Sequence, residues 1–293
     1  MDQRTALFNS HRKRLMGVAY RMLGSTADAQ DVLQDAWLRW NESDTDSLRS
    51  PEAWLVTVVT RLSIDRLRAA RLEREHYSGQ WLPEPLVEPS PETPEQALEM
   101  ADDVSTAFLM VLEQLSPEER AAFVLRQVFD ADYADVAAAL DKSEAACRQL
   151  VHRAQQRLQD RRPRFSVSRD AHLRLLREFA QAAASGDLTA LRGLLAEDAE
   201  LVSDGGGKVR SFARVLRGGQ RLAMLYFAIA RRLARHGGRQ DIVLAEVNGP
   251  PGLLRYMDGQ LESVQSFETD GTRITAIHSQ RNPDKLARVV TTR

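Results

Sequence analysis

Residues 133–159, "YADVAAALDKSEAACRQLVHRAQQRLQ", contain a short apolar segment, a tight turn and a longer amphipathic segment. Ser143 follows the turn Asp141–Lys142, and serine is a preferred N-cap, so the pattern predicts two helices joined by that turn. Arginine, glutamine and histidine share the polar face of the second helix, and such side chains suit base edges and phosphates in the major groove. The stretch therefore predicts a DNA-binding helix-turn-helix rather than an ordinary solvated bundle.

Two more helices are predicted nearer the N-terminus. The segment 25–40, "STADAQDVLQDAWLRW", has one apolar face, with Asp28, Asp31 and Asp35 opposite it and Gln34 alongside. The segment 50–75, "SPEAWLVTVVTRLSIDRLRAARLERE", ends in a basic tail, and we expect its Trp54 in the core. An acidic face alone is normally just solvated, but an acidic face beside two basic DNA-facing segments favours a second, basic protein partner.

Composition excludes several classes of protein. Net charge is −1 and the chain holds 36 Arg against 4 Lys, so any binding of nucleic acid must come from local patches. The single cysteine, Cys147, excludes an internal disulfide and fits a reducing cytosol. The polar N-terminus and the lack of a long apolar run predict a cytoplasmic protein with no signal peptide and no membrane contact. Six scattered histidines predict no metal site, and no cofactor is expected.

Residues 76–99 are expected to form an acidic, proline-rich linker. They contain five Pro and five Glu but no Lys or Arg, a composition that stays extended and solvated. Trp81 and Leu82 are large apolar side chains that a mere spacer does not need. Only three of the 16 glycines precede residue 160, which marks a change of architecture. The expected domains are 1–75, then the linker 76–99, then 100–162, and finally 168–293.

The C-terminal segment predicts an α+β fold. Helical patterns are followed by strand-like runs near 241–248, 252–257, 260–268 and 272–280, without βαβ alternation, so we expect helices on a curved antiparallel sheet. An enzyme here would need a buried acid or base. The candidates are Asp204, Asp241, Asp258, His236 and His278. None stands in a spacing that singles it out, and Asp204 precedes three glycines, where Asp usually serves a turn.

Over residues 5–160 the chain resembles the extracytoplasmic-function (ECF) sigma factors of bacterial RNA polymerase. The segments 21–40, 53–71 and 115–159 resemble regions 2.2, 2.3–2.4 and 4 of that family, so the fold implied is two all-α sigma domains, a region 2 helical bundle and a region 4 helix-turn-helix. The resemblance implies binding to the β′ clamp and β flap of core RNA polymerase and to promoter DNA.

Residues implied to face the clamp are Asp28, Asp31, Gln34 and Asp35. Those implied on the −10 side are Arg61, Arg66, Arg68 and Arg71. Those implied on the −35 side are Ser143, Arg148, Gln149, His152, Arg153 and Arg157. Many ECF factors have Asn at the position of Arg61, which leaves the −10 preference open.

Residues 168–280 resemble the SnoaL-like, NTF2-like cone fold through "SGDLTALRGLLAEDAELVSDGGG". Three short motifs, Trp81–Pro85 (WLPEP), Asp204–Lys208 (DGGGK) and Asn282–Leu286 (NPDKL), resemble those of the ECF subgroup that carries such a domain, and they imply that the domain is a built-in regulator. The implied interdomain residues are Trp81, Leu82, Pro83, Glu84, Pro85, Asp204, Lys208, Asn282, Pro283, Asp284, Lys285 and Leu286. We expect Trp81 and Leu82 to insert against the C-terminal domain and Lys208 to pair with Glu84. Residues 282–290 are expected to be either a short arm reaching the sigma core or a surface tail.

Two other functions compete with the sigma-factor interpretation. A plain transcriptional regulator would explain the helix-turn-helix but not the acidic face, and a cyclase or isomerase would turn over a small molecule. We therefore predict an alternative sigma factor, not an enzyme, that directs promoter-specific initiation and is a monomer when free. We expect its C-terminal domain to modulate that activity, and the pocket of this domain is a candidate for a small-molecule ligand. The sequence leaves the sign of the regulation open.

Overall fold

The structure is a computed structural model that describes residues 3–44, 48, 50–75, 77–88, 105–159 and 167–289, without the side chains of 71–75, 88 and 159. The chain divides into two compact units, one made of 1–76 with 109–162 and the other of 77–108 with 163–293. The predicted linker residues 89–99 and the predicted boundary at 162 lie outside the described residues. The first part of the linker thus belongs to the same unit as the C-terminal domain.

Three long helices begin the first unit, namely α1 (Gln3–Leu23), α2 (Thr26–Glu42) and α3 (Pro51–Glu75). Gly24 ends α1 with a positive φ of 64°, and Ser25 then caps α2 by accepting a hydrogen bond from the Asp28 amide at 3.1 Å. Their facing sides bury Leu15, Leu33, Val59 and other apolar residues. Trp54 packs on Trp40 with 5.7 Å between ring centroids, which places it against this core.

The predicted helix-turn-helix is confirmed in the rest of the first unit. After α4 (Thr106–Leu112) come α5 (Pro117–Phe123), a π-helical turn (Val124–Val128), α6 (Tyr133–Leu140) and α7 (Glu144–Gln159). Asp141 ends α6 in the left-handed conformation with φ 54°, and the Ser143 hydroxyl accepts a hydrogen bond from the Ala146 amide at 3.2 Å. These two local devices set the sharp turn between α6 and α7.

The second unit is α+β, as predicted. Its helices are α8 (Arg169–Ser185), α9 (Leu188–Leu194), α10 (Gly219–His236) and α11 (Pro283–Leu286). Its strands are β1 (Val87–Glu88), β2 (Leu195–Asp204), β3 (Leu216–Arg217), β4 (Gln240–Val247), β5 (Pro251–Met257), β6 (Gln260–Thr269) and β7 (Ile274–Gln280). In the described residues they form one seven-stranded sheet in the order β1-β4-β5-β6-β7-β2-β3.

The sheet differs from the prediction on both sides of the four strands that were expected. β2 was not predicted, and it pairs with β7 in parallel, so the expectation of a purely antiparallel sheet was wrong. Parallel neighbours need a long crossover, and the chain between β2 and β7 contains α10 and three further long strands. At the other edge the linker supplies β1, which pairs with β4.

The two faces of the sheet are covered differently. On one face Phe179 from α8, Tyr226 from α10 and Phe267 from β6 stack edge to face, with centroid separations of 4.9 and 5.4 Å. On the other, Leu286 from α11 packs with apolar side chains of β4, β5 and β6. Among the helices that the structure describes, none is long and apolar enough to cross a membrane.

Candidate functional site

The polar face of α7 presents its predicted DNA-reading residues to solvent. Arg148, Gln149 and His152 are exposed, while Cys147 and Val151 on the opposite face are buried. Arg148 lies with its guanidinium carbon 4.8 Å from the centre of the Tyr133 ring and pairs with Glu144 at 2.6 Å. The helix is therefore anchored through its buried face, and its polar face is accessible to a ligand.

Arg153 and Arg157, predicted on the same DNA-facing surface, bind a buried carboxylate instead. They contact Glu119 at 3.2 and 2.6 Å, and Glu119 is also the last residue of the capping box that starts at Ser116. Burial acts to raise the pKa of Glu119, but hydrogen bonds from Ser116 and the two arginines outweigh it and lower that pKa below its ordinary value. The two arginines thus join α7 to the start of α5.

The acidic face of α2 is partly neutralised within the unit. Arg66 of α3 donates to Asp28 at 2.9 and 2.6 Å and to Asp31 at 3.2 Å. Gln34 and Asp35, one turn further along, are exposed.

Sequence reasoning missed Leu38, whose exposed fraction of 53% is the largest of any large apolar side chain among the described residues. The sequence indicated this only through spacing: Leu38 follows Asp35 by three residues and Gln34 by four, which places all three on one face of α2.

Two arginines predicted on the −10 side contact the helix-turn-helix. Arg61 donates to the carbonyls of Ala138 at 2.9 Å and Ala139 at 3.0 Å, in the last turn of α6. Carbonyls in a last helical turn have no partner within the helix, so a cation there is favourable. Arg68 donates to Glu118 of α5 at 3.1 Å. The side chain of Arg71 lies outside the described residues. The two predicted DNA-binding regions are therefore in direct contact with each other in this unit.

Asp204 is the centre of a buried cluster that ties the linker to the C-terminal domain. We call the five residues Tyr77, Leu82, Asp204, Gln280 and Lys285 the linker clasp. Asp204 is fully buried, and one carboxylate oxygen accepts from the Leu82 amide at 2.9 Å, Gln280 Nε2 at 3.1 Å and Lys285 Nζ at 2.7 Å. The other oxygen accepts from the Tyr77 hydroxyl at 2.7 Å. That oxygen also accepts from the Gly206 amide at 2.9 Å, so both oxygens of the buried anion are hydrogen-bonded.

Lys285 completes the clasp from α11. Its ammonium donates to the Leu82 carbonyl at 2.6 Å and lies 4.5 Å from the centre of the Trp81 ring. Burial acts to raise the pKa of Asp204, but the Lys285 charge and the hydrogen bonds from Lys285, Tyr77 and Leu82 outweigh it and lower that pKa below its ordinary value. The carboxylate therefore remains charged although it is enclosed.

The rest of the three motifs surrounds the clasp. Pro83, Glu84 and Pro85 are buried, and Asn282 donates to the Tyr77 hydroxyl at 3.0 Å. Asn282 also caps α11, in which Pro283 is the first residue. Lys208 pairs with Asp284 at 2.5 Å, so the expected pair between Lys208 and Glu84 was wrong.

The segment 282–289 is not a bare surface tail, because Leu286 is buried against the sheet of its own unit.

The candidate catalytic residues serve other purposes. Asp241 pairs with Arg239, Asp258 accepts from the Arg239 amide in a turn, and His236 is exposed at the end of α10. His278 is buried, and burial lowers its pKa to about 4. Within the described residues, no three His, Cys, Asp or Glu side chains converge as a metal site requires.

Comparison with known proteins assigns both halves of the first unit. Residues 7–73 match the model of Sigma-70 region 2, and residues 105–158 match that of Sigma-70, region 4. The ECF RNA polymerase sigma factor SigJ of Mycobacterium tuberculosis is 40% identical over 92% of this chain and 86% of its own length. The probable ECF sigma factor SigI of the same species is 29% identical over 97% of this chain and 95% of its own length.

The likeness extends to three dimensions and through the C-terminal domain. The crystal structure of M. tuberculosis SigJ matches 97% of this chain and 98% of its own, with a TM-score of 0.76 and 34% identity. Sigma factors are initiation factors rather than enzymes, and they bind core RNA polymerase and promoter DNA. The chain therefore belongs to the ECF sigma factors of RNA polymerase, with regions 2 and 4 followed by a SnoaL-like α+β domain, and it directs transcription initiation.

Proposed function

We propose that this sigma factor docks on the β′ clamp of core polymerase through the exposed face of α2. The face consists of Asp28, Asp31, Gln34 and Asp35, with Leu38 at its end. The observation that carries the proposal is the exposure of Leu38 beside Gln34 and Asp35, since an apolar anchor with a charged rim is the composition of a protein interface. Region 4 is proposed to contact the β flap, and the free protein is proposed to be a cytoplasmic monomer.

Charge reversal at Asp35 tests the docking face. Asp35 is exposed and has no side-chain partner among the described residues, so Asp35→Arg should leave the fold intact while placing a repulsive charge in the interface. We expect the affinity for core polymerase, measured by fluorescence anisotropy, to fall by about tenfold or more, which corresponds to about 1.4 kcal/mol.

Glu178→Arg is the matched control for this test, because Glu178 is an exposed acid on α8 of the other unit. Equal affinities of Asp35→Arg and the control would contradict the docking face.

We propose further that promoter DNA is read by the outer face of α7 and by the arginines of α3. Ser143, Arg148, Gln149 and His152 lie on the side proposed for the −35 element, with Arg153 and Arg157 behind them. Arg61, Arg66, Arg68 and Arg71 are proposed for the −10 side. Because Arg61 and Arg68 now bind α6 and α5, they must exchange these partners for phosphates when the sigma factor engages DNA.

The SnoaL-like domain is proposed to restrain transcription by holding the linker. In ECF factors the linker between regions 2 and 4 is expected to follow the template and RNA-exit path of the polymerase. Residues 77–88 cannot do so while Leu82 is bonded to Asp204, Gln280 and Lys285. The clasp therefore competes with the polymerase for the same piece of chain.

Replacement of Lys285 tests the sign of this effect. Lys285→Ala removes the cation that neutralises Asp204 and binds the Leu82 carbonyl, so it should release the linker. We expect run-off transcription with core polymerase to rise above that of the wild type. Lys208→Ala is the control, since it removes only an exposed ion pair in the same region. Lower transcription from Lys285→Ala would mean that the clasp braces the active form instead.

A polar small molecule is a further proposed partner of the SnoaL-like domain. The observation that favours it is Ser263 of β6, which is fully buried and whose hydroxyl has no hydrogen-bond partner among the described residues. A buried hydroxyl without a partner is unusual and would be satisfied by a bound ligand.

A further inference from the structure

Residues 205–240 carry a concentrated positive charge that the sigma regions do not account for. In a chain with a net charge of −1, this segment holds nine basic residues and no Asp or Glu. They are Lys208, Arg210, Arg214, Arg217, Arg221, Arg231, Arg232, Arg235 and Arg239. All nine are exposed. We call this set the basic surface.

Helix α10 arranges several of these arginines along one side. Arg232 and Arg235 follow Arg221 by 11 and 14 residues, which places the three within an arc of about 60° over a length of about 21 Å. The opposite side of α10 is buried through Leu222 and Tyr226, so the basic side must face solvent. Arg231, Arg232 and Arg235 also line a shallow groove of about 390 Å³.

Most of this charge is not neutralised within the unit. Lys208 pairs with Asp284, Arg217 with Glu200 and Arg239 with Asp241. The remaining six arginines have no carboxylate within ion-pair distance in the part of the chain that the structure describes. Neighbouring like charges raise the local potential and attract a polyanion.

We propose that the basic surface binds the phosphate backbone of duplex DNA, without regard to sequence, beside the promoter that regions 2 and 4 read. Eight of the nine basic residues are arginines, whose planar guanidinium groups suit phosphate oxygens. A protein partner fits less well, because the core of a protein interface is mainly apolar. Here Met224 is exposed at the groove, but Phe227 is only partly exposed, with the Arg231 guanidinium carbon 5.7 Å from its ring centre.

The salt dependence of DNA binding tests this proposal in the full chain without polymerase. The variant is Arg232→Ala with Arg235→Ala, and the probe is a fluorescent duplex of unrelated sequence. Each phosphate contact contributes about −0.9 to the slope of log K against log salt, so the two changes should make the slope shallower by about 1.8. Between 50 and 200 mM salt, the wild type should then lose about 12-fold more affinity than the variant.

Two further variants separate charge from damage to the fold. Arg174→Ala with Arg177→Ala removes the same charge from exposed positions on α8 and should keep the wild-type slope. Arg232→Lys with Arg235→Lys keeps the charge on α10 and should also keep that slope. A wild-type slope in Arg232→Ala with Arg235→Ala would overturn the proposal. An equally shallow slope in the α8 control would also overturn it. So would unchanged DNA binding together with weakened binding to core polymerase, which would indicate a protein partner.

Discussion

The two units of this sigma factor use acid–base pairs in opposite ways. In the first unit Arg66 binds Asp28 and Asp31 at the surface, where its side chain is 47% exposed and those of the two acids are 31% and 60% exposed. In the second, Lys285 binds Asp204, and the exposed fractions are 15% and 0%. Water and salt screen the first contact but hardly reach the second.

This difference indicates which ion pairs can exchange partners at a small cost in free energy. An exposed ion pair adds little stability, so Arg66, Asp28 and Asp31 can be transferred to DNA or polymerase at small cost. A buried pair with every hydrogen bond made is expensive to break, because either partner alone is left as a buried charge. The exposed ion pairs of the first unit can therefore exchange partners, whereas the buried contacts of the linker clasp should break together.

The largest effect is expected from removal of the buried carboxylate. Asp204→Ala removes the buried carboxylate that binds Lys285 and that accepts from the Leu82 amide and the Tyr77 hydroxyl. Breaking such a pair should destabilise the second unit by about 3–5 kcal/mol. Native-state hydrogen exchange of β7 and of residues 77–88, followed by mass spectrometry, measures this loss.

The exposed pair beside the clasp is the control for that measurement. Lys208→Ala removes the contact with Asp284. The free energy of opening obtained from the same exchange rates should then change by less than about 1 kcal/mol. If the two variants had equal effects, the contrast between buried and exposed pairs would not hold in this domain.

The smallest effect is expected from removal of the exposed cation. Arg66→Ala should lower the free energy of unfolding of the first unit by less than about 1 kcal/mol, as is usual for exposed pairs. It should also strengthen binding to core polymerase, because Asp28 and Asp31 are then available to a basic partner. Urea denaturation and anisotropy with labelled core polymerase measure the two quantities.

Arg12→Ala serves as the matched variant for Arg66→Ala, because Arg12 is an exposed cation of α1 outside the proposed docking face. A loss of several kcal/mol in Arg66→Ala, or weaker binding to polymerase, would show that Arg66 organises the docking face rather than masking it.

Local signals account for what could be predicted of the fold. The capping box at Ser116, the turn at Asp141 and the N-cap Ser143 all act over three or four residues, so they are readable in the chain and set α5, α6 and α7. β2 was missed because its partner β7 is about 75 residues away, and such a pairing leaves no local pattern.

The candidate sites were predictable to different degrees for the same reason. The polar face of α7 follows from helical spacing alone. Asp204 looked like a turn residue, and the Gly206 amide does donate to it at 2.9 Å, but its other hydrogen-bond partners come from the linker, β7 and α11. Similarly, nothing in the spacing of Arg153 and Arg157 indicated that Glu119 would bind both.

The sequence by itself determined the helix-turn-helix, the acidic face of α2, the α+β class of the C-terminal domain and, through its motifs, the family. These follow from periodicity, capping and residue type, which act between near neighbours in the chain. Only the tertiary structure decided that Lys285 rather than Lys208 closes the linker clasp, and that Arg61 and Arg68 contact α6 and α5. Those choices depend on which charges are brought together and buried when distant segments pack, and burial is what makes one ion pair strong and another weak.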